Sequence, residues 1–191
     1  MKIFFVGSPR ALKEHKNELT KIYHTITQLG HENLYHLVIN SNPDTFYNKN
    51  ETQINFHFKT TSQALHAADL LIVEASIHSL SMGYLVRMGE ELDKPVIVMY
   101  KSGSEPFFFS GNTYERLLLV EYTLESIKEN LTQALSYASD LLDTRFNLFL
   151  SPQMNSYLKW ITKRNRTNRS TYIRQLLQNE IKQHPEFQAN Q

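Results

Sequence analysis

Asp69-Leu70-Leu71-Ile72-Val73-Glu74-Ala75-Ser76 is the stretch on which the fold turns. Its apolar centre, Leu70 to Val73, shows no alternation and so offers no polar face to water. Both faces must be covered, and the run predicts a central parallel strand with helices packed on either side. Val96-Ile97-Val98-Met99 repeats the pattern after a helix over Ser81 to Leu92 and the turn Asp93-Lys94-Pro95. Leu117 to Val120 predicts a last strand. Leu124, Ile127, Leu131, Leu135, Ala138 and Leu142 then mark one stripe of a long helix.

Upstream, Ile3 to Val6 is a strand-like run ended by Gly7-Ser8-Pro9. Leu12, Leu19, Ile22, Ile26 and Leu29 follow at helical spacing, closed by Gly30. Leu34 to Ile39 predicts a second strand, stopped by Asn40-Ser41-Asn42-Pro43. Asp44 to Lys59 is polar and aromatic without clear period and is expected to be a loop over the site, and Ser62 to Ala68 a brief helix. Strands alternating with helices in this way predict a small doubly wound α/β sheet whose ligand crevice lies beyond the carboxyl ends of its strands.

Three loops converge at those ends: Gly7-Ser8, Glu74-Ala75-Ser76, and the run from Ser79 to Tyr84 where a helix starts. Small and hydroxyl residues at a helix start leave backbone N–H groups free for a phosphate or ribose. Ser79 or Ser81 taken alone is better explained as a helix cap, and Glu74 can be read as a strand-end carboxylate with a local partner. Convergence of all three favours a binding site.

The runs KIFFVGS, AADLLIVEAS, HSLSMGY and DKPVIVMY together resemble the nucleoside 2-deoxyribosyltransferase-like family, over residues 1 to about 135. The resemblance implies a nucleotide or nucleoside-monophosphate ligand, its sugar and phosphate cradled by Gly7, Ser8, Ser76, Ser79 and Gly83, with Asp69 and Glu74 matching the family's acids. Where the family reads Gly-Tyr-Glu, with the glutamate as nucleophile, this chain reads Gly83-Tyr84-Leu85. A leucine cannot form a glycosyl ester or stabilise an oxocarbenium ion. Catalysis by the family route is therefore not expected, and Glu74 is the acid that could substitute.

The tail has a different character. From Arg145 onward it holds eight basic residues and two acids, a net of +6 in a chain of net +1, which leaves −5 on the part before it. Such asymmetry is expected where one part meets a polyanion. Arg145 to Leu150 alternates with period two, as a strand does. Ser151-Pro152 opens a helix with Met154, Tyr157, Leu158 and Ile161 on one stripe. After the polar break Thr167-Asn168-Arg169-Ser170, Ile173, Leu176, Leu177 and Ile181 mark a second helix.

One strand and two short helices cannot bury their own apolar faces, so a second copy is expected. RFNLFLSPQMNSYLKWI followed by TNRSTYIRQLL resembles the ribbon-helix-helix family, in which paired strands enter the DNA major groove. By that resemblance Arg145, Asn147 and Phe149 face base edges, and the backbone N–H groups of Asn168, Arg169 and Ser170 hold a phosphate. Phe149 departs from the polar or basic residue usual there: it can meet a thymine methyl but cannot pair with guanine.

The domains are thus expected at residues 1–143 and 144–191. The chain has no cysteine, which excludes disulfides and thiolate metal sites, and its eight histidines lack metal-ligand spacing, so neither a metal nor a cofactor is expected. MKIFFVGSPR is too short an apolar start for a signal peptide, and no run is long enough for a bilayer, so a cytoplasmic location is expected. The leading expectation is a DNA-binding transcriptional regulator, a homodimer or higher even oligomer, with a non-catalytic nucleotide-sensing domain. The alternatives are an active N-glycosidase or deoxyribosyltransferase with an oligomerisation tail, and an antitoxin or defence component whose tail binds a protein.

Overall fold

The computed structural model describes residues 1–142, 148–165 and 167–184. The chain divides into two compact units, Met1–Asp143 and Thr144–Gln191.

In the first unit five strands form one all-parallel sheet: β1 (Lys2–Gly7), β2 (Glu32–Asn33), β3 (Leu70–Glu74), β4 (Val96–Lys101) and β5 (Leu117–Tyr122), in the order β2-β1-β3-β4-β5. Alternate residues feed two cores. Ile3, Phe5, Ile72, Ile97 and Met99 pack against α1 (Ala11–Glu14), α2 (Lys16–Gln28) and α7 (Ile127–Asp140). Phe4, Val6, Leu71, Val73, Val96 and Val98 pack against α4 (Glu51–Ala67) and α5 (Leu80–Glu91). Every residue of β3 is buried, as a run without a polar face requires. Each of its four apolar side chains, Leu70 to Val73, contributes about 1.5–3 kcal/mol of transfer free energy. The order reverses between β1 and β3, and in sheets of this type the ligand crevice opens at that switch point.

Three segments differ from the sequence reading. Residues 34–39 form no strand: pairing with β1 is confined to β2 at Glu32–Asn33, and Leu37–Asn40 is a helical turn, α3. The helix expected from Leu12 to Leu29 is broken at His15, where φ is −131°. The segment expected as a loop from Asp44 to Lys59 contains the start of α4, of which Ser62 to Ala67 is only the end. Asn50 caps α4, its side chain accepting from the Gln53 N–H (2.9 Å) while the Gln53 side chain accepts from the Asn50 N–H (3.1 Å). That reciprocal pair satisfies two donors a helix start would otherwise orphan. Ile54, Phe58, Thr61 and Leu65 lie on one face of α4, and Thr61 and Leu65 are buried. A short helix, α6 (Phe107–Ser110), also follows β4.

The second unit contains α8 (Pro152–Asn165) and α9 (Arg169–Lys182). Tyr157 and Tyr172 join them through their hydroxyls at 3.1 Å. Trp160 packs beside Tyr157, ring centres 5.9 Å apart, and Arg164 lies over the indole at 5.4 Å, a cation–π contact. Leu158 is buried, while Met154, Tyr157, Trp160, Leu176, Leu177 and Ile181 stay about half exposed. Residues 148–150 are not in a strand, and the rest of the expected strand, 145–147, lies outside the described residues.

Candidate functional site

A cavity of about 500 Å³ opens at the carboxyl end of β1, on the side of the sheet covered by α4 and α5. Val6 and Gly7 form its floor, α5 supplies Met82, Leu85 and Met88, and α4 supplies Ile54, His57, Phe58, Thr61 and Ser62. Tyr35, Phe46 and Tyr47 complete the wall, with Leu80 and Ser81 at the start of α5. Its size suits a small organic ligand.

Gly7 has a packing reason to be glycine. A Cβ there would lie 2.8 Å from Leu19 Cδ2, so a larger residue would require the buried Leu19 side chain to shift. Leu85 is buried and lines the same cavity as Gly7. Among the described residues of the wall there is no Asp, Glu, Lys or Arg. Burial, with the charge of Lys49 nearby, holds the His57 imidazole below its ordinary pKa. The Tyr35 hydroxyl lies 3.2 Å from Thr61 Oγ1, and burial raises the tyrosine's pKa in spite of that bond.

The other residues expected to bind a nucleotide are placed differently. Asp69 sits at the opposite, amino end of the sheet, a correction to its expected role. Its carboxylate accepts the Lys2 N–H (2.7 Å) and its own N–H donates to the Lys2 carbonyl (2.7 Å), tying β1 to the head of β3. Ser8 is fully buried and turned into its own loop, its hydroxyl accepting from the Arg10 N–H at 3.3 Å. Ser79 precedes α5 in the N-cap position, but its side chain makes no capping bond. Gly83 has no neighbour within 4 Å of a would-be Cβ, so crowding does not demand glycine there.

Glu74 and Ser76 belong to a buried polar cluster behind the cavity. Glu74 Oε1 accepts from the Ser76 N–H (3.1 Å), from the Ser76 hydroxyl and from the Tyr122 hydroxyl (2.9 Å). The Ser76 hydroxyl oxygen accepts in turn from the Lys101 N–H at 2.7 Å. Burial and the neighbouring carboxylate push the Tyr122 phenol far above its ordinary range, which keeps it a donor. Close by, Lys101 Nζ meets Glu18 Oε1 at 2.9 Å. Burial works to raise the Glu18 pKa, but the ammonium's hydrogen bond and charge hold it below the ordinary value. With its second oxygen unpartnered yet fully buried, Glu74 does not line the cavity. Sequence reasoning missed this cluster because Tyr122, Lys101 and Glu18 come from three separate elements.

In the second unit Asn168 caps α9, its side chain accepting from the Thr171 N–H at 2.8 Å. Arg169 and Ser170 are therefore in the first turn of a helix, a correction to the polar break expected there, and their N–H groups lie ahead of the first capped donor. Phe149 is fully exposed. Arg145 and Asn147 lie outside the described residues. No group of three or more His, Asp or Glu suited to a metal occurs among the described residues, and none of their helices is long and apolar enough to cross a membrane. No family model matches the sequence and no curated protein matches it either, so the residues are read on their own chemistry.

Proposed function

We propose that this chain is a dimeric DNA-binding transcriptional regulator whose α/β unit holds a nucleotide or related small molecule without cleaving it. The observation that carries the binding half is the wall of the cavity: Leu85 stands in it, and no carboxylate does among the described residues. Cleavage of a glycosidic bond needs an acid on each side of the scissile bond or a nucleophile at the anomeric carbon. Glu74, the remaining candidate, is engaged by Ser76 and Tyr122 and sits behind the wall.

The DNA-binding half draws on the basic tail and on the half-exposed apolar residues of α8 and α9. A unit of this size leaves too much apolar surface in water as a single copy, and a second copy covers it. Two copies also align two α9 N-termini with their free N–H groups, which suits a pair of phosphates on one duplex. Incubating the protein with deoxynucleosides and their monophosphates, and assaying for free base, tests the first half. No release is expected, and steady turnover contradicts it. A gel-shift against the gene's own upstream region tests the second.

A further inference from the structure

Tyr35 Oη and Thr61 Oγ1 are 3.2 Å apart in the cavity wall, and both residues are nine-tenths buried. Two hydroxyls bring two protons, yet the bond between them uses one. Whichever hydroxyl donates, the other keeps a proton for which no further protein acceptor is found among the described residues. A buried donor in that state is costly unless something in the cavity accepts from it. The rest of the wall is mostly apolar or aromatic, with only Ser41, Ser62, Ser81 and His57 polar besides; the rings of Phe46, Phe58 and Tyr84 and the thioethers of Met82 and Met88 offer flat, polarisable contacts. A charged ligand would lose its hydration and meet no side-chain counter-charge.

We infer that the cavity takes an uncharged, planar aromatic molecule bearing a hydrogen-bond acceptor, which receives the proton left by the Tyr35–Thr61 pair. The inference rests on reading the cavity as one that holds its ligand and does not react with it. It narrows that reading: a base or nucleoside meets the description, whereas the phosphate of a nucleotide would meet no lysine or arginine in the wall.

Two fluorescent naphthalene dyes provide the test on the full chain. Prodan is neutral and carries one carbonyl acceptor; anilinonaphthalene sulfonate is an anion. Prodan is expected to fill one saturable site, and Leu80→Trp at the exposed mouth should close it. Tyr35→Phe combined with Thr61→Val keeps the volume but removes both hydroxyls. It should weaken Prodan about tenfold, the worth of one such bond, and shift its emission to the blue. Either single change leaves one donor and should retain most of the affinity. Leu80→Lys should strengthen binding of the sulfonate relative to that of Prodan. Circular dichroism of each variant confirms that the fold is kept. The inference is overturned if Prodan finds no saturable site, if the double variant binds it as tightly with unshifted emission, or if the sulfonate binds the unaltered cavity as well as Prodan does. Release of base from a nucleoside would instead contradict the proposed function and leave the ligand class standing.

Discussion

Tyr122, at the end of β5, donates its phenolic hydrogen to Glu74, at the end of β3, across the intervening β4 at 2.9 Å. The bond fastens three strands at the carboxyl edge of the sheet, beside the floor of the cavity. Removing it with Tyr122→Phe leaves a buried carboxylate short of a donor. A loss of about 1 to 3 kcal/mol is expected in urea unfolding.

The same phenol gives a pH signature. Tyr35, Tyr114 and Tyr122 all have raised pKa values in the folded chain, chiefly through burial, with Tyr114 pushed up to about 12. Unfolded tyrosines lose their protons near pH 10, before the folded ones do. The unfolded state therefore binds fewer protons above that pH, and stability falls as pH rises. Denaturation midpoints should be insensitive to these groups below about pH 9 and decline from about pH 10 upward. Tyr122→Phe should flatten that decline.

The central strands were legible because their chemistry is local: Leu70 to Val73 and Val96 to Met99 are apolar without alternation, and burial on both faces is their only outcome. α4 was not, because Ile54, Phe56 and Phe58 mimic the period of a strand while the helical stripe runs through Ile54, Phe58, Thr61 and Leu65. Asn50 with Gln53 was the signal that could have found it. Leu34 to Ile39 misled in the opposite direction, since an edge position needs only Glu32 and Asn33 for pairing. Of the candidate site, Gly7 at the end of the first strand was legible as a loop position, whereas the polar Glu74 cluster and the place of Asp69 at the amino end of the sheet depend on which elements meet in space.

Because α4 forms one wall of the cavity, its cap should control ligand affinity as well as stability. Asn50→Ala is expected to cost about 1 kcal/mol in stability. It should also weaken Prodan binding, as measured by fluorescence titration. Asn50→Asp, which keeps the accepting oxygen, should restore both.

Leu85→Glu places a carboxyl group in the cavity wall. Burial should raise that acid's pKa and destabilise the fold by about 1 to 3 kcal/mol near neutral pH, an effect that shrinks in acid as the group becomes neutral. Release of base from a deoxynucleoside by this variant, and not by the unaltered chain, is the expected gain, measured by chromatography.

The central claim is that the basic tail grips DNA through the start of α9, and fluorescence anisotropy of the upstream duplex at a series of salt concentrations measures it most directly. Binding should saturate at an even number of chains per site and weaken steeply with salt. Arg169→Ala, in the first turn of α9, should weaken binding across sequences and reduce the log–log salt slope by about one if its side chain meets a phosphate. Absence of binding at low salt, or affinity and slope unchanged in Arg169→Ala, would contradict the account.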